Sequence, residues 1–194
     1  MYSFIDRLSR LFALLGGLVL TALIVLTCIS IVGRLANGVL HGDWIESLAP
    51  EFTNYLLELG VGPVNGDFEL VETGMAFAIF AFLPICQLKS AHASVDIFTA
   101  ALPLRINRLL RAVIEVVFAS VLVLIAWQLF AGTLSKYNSG QTTFLLEFPV
   151  WWAYALSLLA AIAAALTAVY VAVVRCAEAA SGCAILPDDS GVAP

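Results

Sequence analysis

The sequence predicts an all-α integral membrane protein with four transmembrane helices, on three observations. Of the 194 residues, 62% are hydrophobic and only 12% are charged, which leaves too little polar surface to solvate a globule of this size. Four apolar stretches, 11–32, 70–88, 112–134 and 150–174, gather that hydrophobicity into blocks of membrane length. None alternates apolar and polar residues as a barrel strand does, and in lipid the remaining way to pair every backbone group within one segment is a helix.

The first stretch runs 22 residues without a charge and reaches roughly 33 Å, enough for a hydrocarbon core of about 30 Å. Its fourteen Leu, Ile, Val and Phe residues contribute roughly −4 to −8 kcal/mol to insertion, before Gly16, Gly17, Thr21, Thr27 and Ser30 subtract from it. A cleaved signal peptide has an apolar region of about 7–15 residues and a small-residue cleavage site, and neither fits.

A long connection, 33–69, follows. Asp43-Trp44-Ile45-Glu46 reads as a capping box. Trp44, Leu48, Phe52, Tyr55, Leu56 and Leu59 then recur at helical spacing, with Glu46, Glu51, Asn54 and Glu58 mostly elsewhere on the wheel. The spacing predicts an amphipathic helix, divided or kinked at Pro50 and ended by Gly60, Gly62, Pro63 and Gly66. Its acidic polar face leaves two resting places open, the outer leaflet or a partner protein.

The second stretch carries Glu72 in its first turn and Pro84 near its far end, where the missing amide should bend the helix. Beyond it, His92 and Asp96 stand four apart, a spacing at which the carboxylate can fix one imidazole tautomer on a short interfacial helix. Val95, Phe98 and Leu102 form the apolar side of that helix, and Pro103 ends it and starts the next. Arg105, Arg108 and Arg111 follow at three-residue spacing. They can meet lipid phosphates at about 1 kcal/mol each, and ordinary positive-inside bias accounts for them equally.

In the third stretch, Glu115 lies four residues after Arg111 and within reach of it, and Gln128 is the deepest strongly polar side chain, expected to bond to a neighbouring helix. The fourth stretch opens with Trp151, Trp152 and Tyr154, an aromatic belt at one interface. Along it Ala153, Ser157, Ala161 and Ala165 are four apart, with Ala160, Ala164, Ala168 and Ala172 in an adjacent row, so one face should admit another backbone closely, whether of a partner or of this chain. The expected organisation is one membrane domain over 1–175 and a polar, disordered tail over 176–194.

Charge sets the expected topology. Of nine basic residues, seven (Arg7, Arg10, Lys89, Arg105, Arg108, Arg111 and Arg175) fall on the side of both termini, which should therefore be cytoplasmic. The other side holds Arg34 and Lys136.

Several function classes are disfavoured. Neither histidine, His41 or His92, lies within a span, so no pair of intramembrane haem ligands exists. There is no CxxC or zinc spacing, no HExxH, no nucleophile elbow and no Gly-rich phosphate loop, so no cofactor or metal is expected and an enzyme is not. A transporter acting alone usually keeps ionisable groups near the midplane, and these spans have none there.

One family pattern is distributed along the chain. A Glu72-bearing second span ends in Phe82-Leu83-Pro84-Ile85-Cys86-Gln87-Leu88 and leads to His92, Val95-Asp96 and Leu102-Pro103. Phe148-Pro149-Val150-Trp151-Trp152-Ala153-Tyr154 opens the fourth span. In the order and spacing of these motifs the chain resembles the small membrane subunit, DctQ type, of tripartite ATP-independent periplasmic (TRAP) transporters, over about 4–174. The resemblance implies a fixed scaffold in the bacterial inner membrane that partners a large DctM-type membrane subunit. That partner would hold the substrate and sodium sites, and a periplasmic binding protein would deliver an organic acid, commonly a carboxylate, for uptake driven by an ion gradient. The reading of a different class is a self-contained homo-oligomeric tetraspan channel or small exporter, disfavoured by the lack of midplane charge.

Overall fold

The computed structural model describes residues 2–42, 55, 60–89 and 104–181. Four long helices account for most of them: α1 (Tyr2–Leu40), α2 (Asp67–Leu88), α3 (Leu104–Ser139) and α4 (Val150–Ser181). Each is long and apolar enough to cross a membrane, so the all-α, four-span architecture holds. Most of the expected external amphipathic segment, the inner segment with His92, Asp96 and Pro103, and the chain beyond Ser181 lie outside the described residues.

The helices overrun their apolar stretches. At 39, 36 and 32 residues, α1, α3 and α4 reach roughly 58, 54 and 48 Å against about 30 Å of hydrocarbon. Once nucleated, a helix gains a hydrogen bond for each residue added, so it runs into the headgroup region until something stops it. At the start of α1 the charged turns are braced by Arg10 and Asp6, 2.9 Å apart at i,i+4. The other end of α1 closes where His41 Nδ1 donates to the Asn37 carbonyl at 2.9 Å and the Gly42 amide donates to Val39 at 3.1 Å. α4 continues past Arg175 to Ser181, so residues expected in a tail are helical, and Glu178 among them is buried.

α1 lies mainly against α2, α2 against α4, and α4 against α3, while α1 and α3 do not meet among the described residues. The helices thus form a row, α1–α2–α4–α3, and not a closed ring. α4 is its centre: 56% of its most apolar window is buried, against 6% for α1. Lipid tails are as apolar as leucine, so association in the bilayer depends on close packing of small side chains. Ala160, Ala164 and Ala168 are fully enclosed, and Ser157, Ala161, Ala165 and Ala172 are buried, with Ala153 half-buried above them. On one side Ala165, Ala168 and Ala172 pack with Ala119 and Leu122 of α3. Val171 packs with Leu88 of α2, with Ile5 of α1 alongside. The small-residue face of α4 is therefore occupied by this chain's own helices.

Large apolar side chains point outward instead. Leu14, Leu18, Trp127 and Leu166 are between 64% and 74% exposed, as suits side chains facing lipid or another membrane protein. Three threonine hydroxyls within the spans fold back onto their own helix: Thr21 donates to Gly17 at 2.8 Å, Thr133 to Leu129 at 2.7 Å and Thr167 to Ala163 at 2.9 Å. Such back-bonding satisfies the hydroxyl without a partner helix.

Because the alanine face is internal, replacing Ala161 and Ala165 together by Leu should destabilise the isolated chain by about 1–3 kcal/mol per overpacked site. Thermal unfolding in detergent checks this. An unchanged midpoint would mean that the face is open.

Candidate functional site

Polar side chains tie the row together at both ends. Near the acidic end, Ser30 of α1 donates to Asp67 Oδ2 of α2 at 2.5 Å and accepts from the Val64 amide at 3.3 Å. Arg34, one turn on, lies 3.6 Å from the same carboxylate oxygen. Asp67 Oδ1 accepts the Phe68 amide at 2.7 Å, and with Glu69 it places negative charge on the first turn of α2, where the helix dipole favours it. Only glycine fits at position 33, since a Cβ there would stand 2.1 Å from the Gly62 carbonyl oxygen. The connection entering α2 is thus laid directly on α1.

Glu69 points the other way, toward the α3–α4 connection. That loop folds back on itself: the Thr143 amide donates to Phe148 at 2.9 Å, the Val150 amide donates to Gln141 at 3.0 Å, and Thr142 bridges Pro149. Its tip presents the successive amides of Leu145 and Leu146 to the Glu69 carboxylate at 2.7 and 3.0 Å. A carboxylate in such a nest of backbone N–H groups fixes a loop that no helix supports. Gly66, at φ +77°, makes room for the Leu146 side chain, which an added Cβ would meet at 2.4 Å.

Below the loop is a cavity of about 640 Å³ between α2, α3 and α4. Its polar lining includes Glu69, Glu72, Thr73, Thr143, Tyr154 and Ser157, and its remaining lining is apolar, with Phe68, Phe80, Phe144 and Phe148 among it. The lining has two carboxylates and no cation, so the cavity repels a carboxylate and does not suit an organic acid.

At the basic end a second network crosses three helices. Gln87 of α2 donates to Glu115 Oε2 of α3, and Arg175 of α4 acts on Glu115 through its charge while holding Glu178 Oε2 at 2.9 Å. All four residues are buried, with exposures of 1% for Gln87, 8% for Glu115, 8% for Arg175 and 5% for Glu178. Among the described residues the backbones of α2 and α3 do not approach each other, and the Gln87–Glu115 hydrogen bond links the two helices directly.

The residues singled out by sequence are therefore scattered. Glu72 is exposed on the cavity, Pro84 is buried inside α2, and Pro149 closes the loop before α4. Trp151 packs edge-on against Tyr137 and Trp152, with centroids 5.4 and 5.9 Å apart. Arg105 lies in the first turn of α3, while Arg108 and Arg111 are half-buried and engaged in interactions of their own within the chain. Glu115, expected within reach of Arg111, bonds to Gln87 and is held in the field of Arg175. The sequence reading missed all three latches, those of Asp67, Glu69 and Glu115. For the network at the basic end the available signal was polarity out of place: Gln87 at the end of an apolar helix, and Arg175 and Glu178 at i,i+3 spacing on one face.

No group of three or more His, Cys, Asp or Glu side chains suited to a metal occurs among the described residues. Four lipid-length helices joined through polar latches define a multi-pass membrane protein in which buried polarity serves helix association. A family model described as "Tripartite ATP-independent periplasmic transporters, DctQ component" matches residues 23–179, and the chain belongs to this family. This is a family of transporter subunits and not of enzymes, and its members function within a complex of several components. No curated protein and no solved structure matches the chain significantly.

Removing one partner of a buried charged pair usually costs about 3–5 kcal/mol, so Arg175→Met should lower the unfolding midpoint sharply. Replacing Glu115 and Glu178 by Gln together with Arg175→Met should recover part of that loss, because no carboxylate is then stranded. Stability of the single variant equal to wild type would contradict the buried network. For the latch at the acidic end, Glu69→Ala should speed amide hydrogen exchange at Leu145 and Leu146 while leaving the centre of α4 protected.

Proposed function

We propose that this chain is the small scaffold subunit of a TRAP-type secondary transporter. It pairs with a large DctM-type permease subunit in the bacterial inner membrane, with both termini in the cytoplasm. An organic acid, a carboxylate, reaches the pair from a periplasmic binding protein, and an ion gradient drives its uptake. Family membership supports this reading. The observation that carries it is the use made of charge: Glu115 is engaged by Gln87 of a neighbouring helix and by the charge of Arg175, Arg175 and Glu178 pair with each other on α4, and the cavity at the other end is lined by carboxylates without a cation. Among the described residues, charge used this way leaves the cavity unsuited to an organic anion.

Reconstitution tests it. Proteoliposomes with an imposed sodium gradient should take up candidate carboxylates only when this chain, the large subunit and the binding protein are all present. Uptake by this chain alone would defeat the scaffold reading. Orientation has a separate test: a cysteine introduced at Asn138 should react with an impermeant reagent from the periplasm, and one at Ser190 only from the cytoplasm.

A further inference from the structure

One long surface feature remains after these assignments. A groove of about 900 Å³ runs between α3 and α4, floored by Ala119 and Ala172 and walled by Val123, Trp127, Val169 and Val173. A second hollow of about 460 Å³, reaching Leu109 and Ala179, shares Val116 and Cys176 with it, so the two form one continuous furrow. From Leu109 to Gln128 it covers ~28 Å of helix, close to the full hydrocarbon thickness of about 30 Å.

The far end of this furrow is polar in a way that lipid does not satisfy. Gln128 is exposed and its amide has no hydrogen-bond partner among the described residues, although it lies roughly 9 Å inside the end of the apolar stretch at Leu134. Trp127, beside it, is 74% exposed, and its indole N–H is likewise without a partner among the described residues. Ser120, in the same furrow, shows the alternative: it donates to the Val116 carbonyl of its own helix at 2.8 Å and needs nothing from outside. A glutamine amide is too large to be satisfied that way and is costly in hydrocarbon unless another chain meets it.

We propose that the α3–α4 furrow seats one transmembrane helix of the large membrane subunit, and that this helix carries a hydrogen-bonding side chain at the depth of Gln128. The inference rests on the functional reading above. The small floor residues let the incoming backbone approach, the length accommodates a whole span, and Gln128 sets depth and register. α1 offers apolar surface too, but the hydroxyls of its apolar stretch are already paired: Thr21 and Thr27 bond back to their own helix and Ser30 to Asp67.

The test uses the intact complex in membranes. A photoreactive benzoylphenylalanine at Val123 or at Val173, both exposed in the furrow, should give an adduct with the large subunit on irradiation. Gln128→Leu, at an exposed position that leaves this chain's packing intact, should reduce retention of the large subunit on an affinity-tagged chain about threefold to twentyfold, the range of single interhelical hydrogen bonds in membranes. Adducts only with lipid or with a second copy of this chain, or undiminished retention in Gln128→Leu, would overturn the inference. Failure of the wild-type chain to retain the large subunit would instead count against the functional reading itself.

Discussion

The constraint on which the structure depends is that a hydrocarbon solvent satisfies no polar group. Each hydrogen-bonding atom within a span has to be met by its own helix, by a neighbouring helix or by another chain. The threonines of α1, α3 and α4 take the first route. Gln87 of α2 and Glu115 of α3 take the second and so link two helices whose backbones do not approach each other among the described residues, while Arg175 and Glu178 pair with each other one turn apart on α4. Gln128 has neither. The polar residues therefore report how each helix is used.

A row of helices has consequences that a closed bundle lacks. With α4 in the middle, alanine allows α2 and α3 to approach it, and the outward faces carry leucine, valine and phenylalanine. Neither end of the row is sealed by the other. An open layer fixed by latches at both membrane boundaries is suited to lie against a larger body, because its internal geometry is already set and its broad apolar surface is uncommitted.

The two boundaries are held by different chemistry. At the acidic end the latches are single carboxylates receiving backbone amides and a serine hydroxyl, Asp67 tying α2 to α1 and Glu69 tying α2 to the α3–α4 loop. Both lie on the first turn of α2, so this short helix governs the placement of the others at that end. At the basic end the latch is a buried charged network, which is costly to desolvate and correspondingly intolerant of losing one member.

Sequence alone determined the class, the number of spans and the family resemblance, because hydrocarbon thickness imposes a length on each apolar stretch that composition reveals directly. The cores of the spans matched as predicted. Their ends did not, since hydropathy marks where lipid stops and not where helical hydrogen bonding stops, and so Glu178 was assigned to a tail when it is buried beside Arg175. The small-residue rows on α4 were legible as a contact face, but whether α2 and α3 or another protein filled it depended on helix order. The latches were invisible for the same reason: Gln87 and Glu115 are 28 positions apart, and Glu69 and Leu146 are 77. Periodicity speaks only for residues on one helix. Which faces meet is decided by tertiary packing, and packing alone left the α3–α4 furrow and Gln128 uncovered.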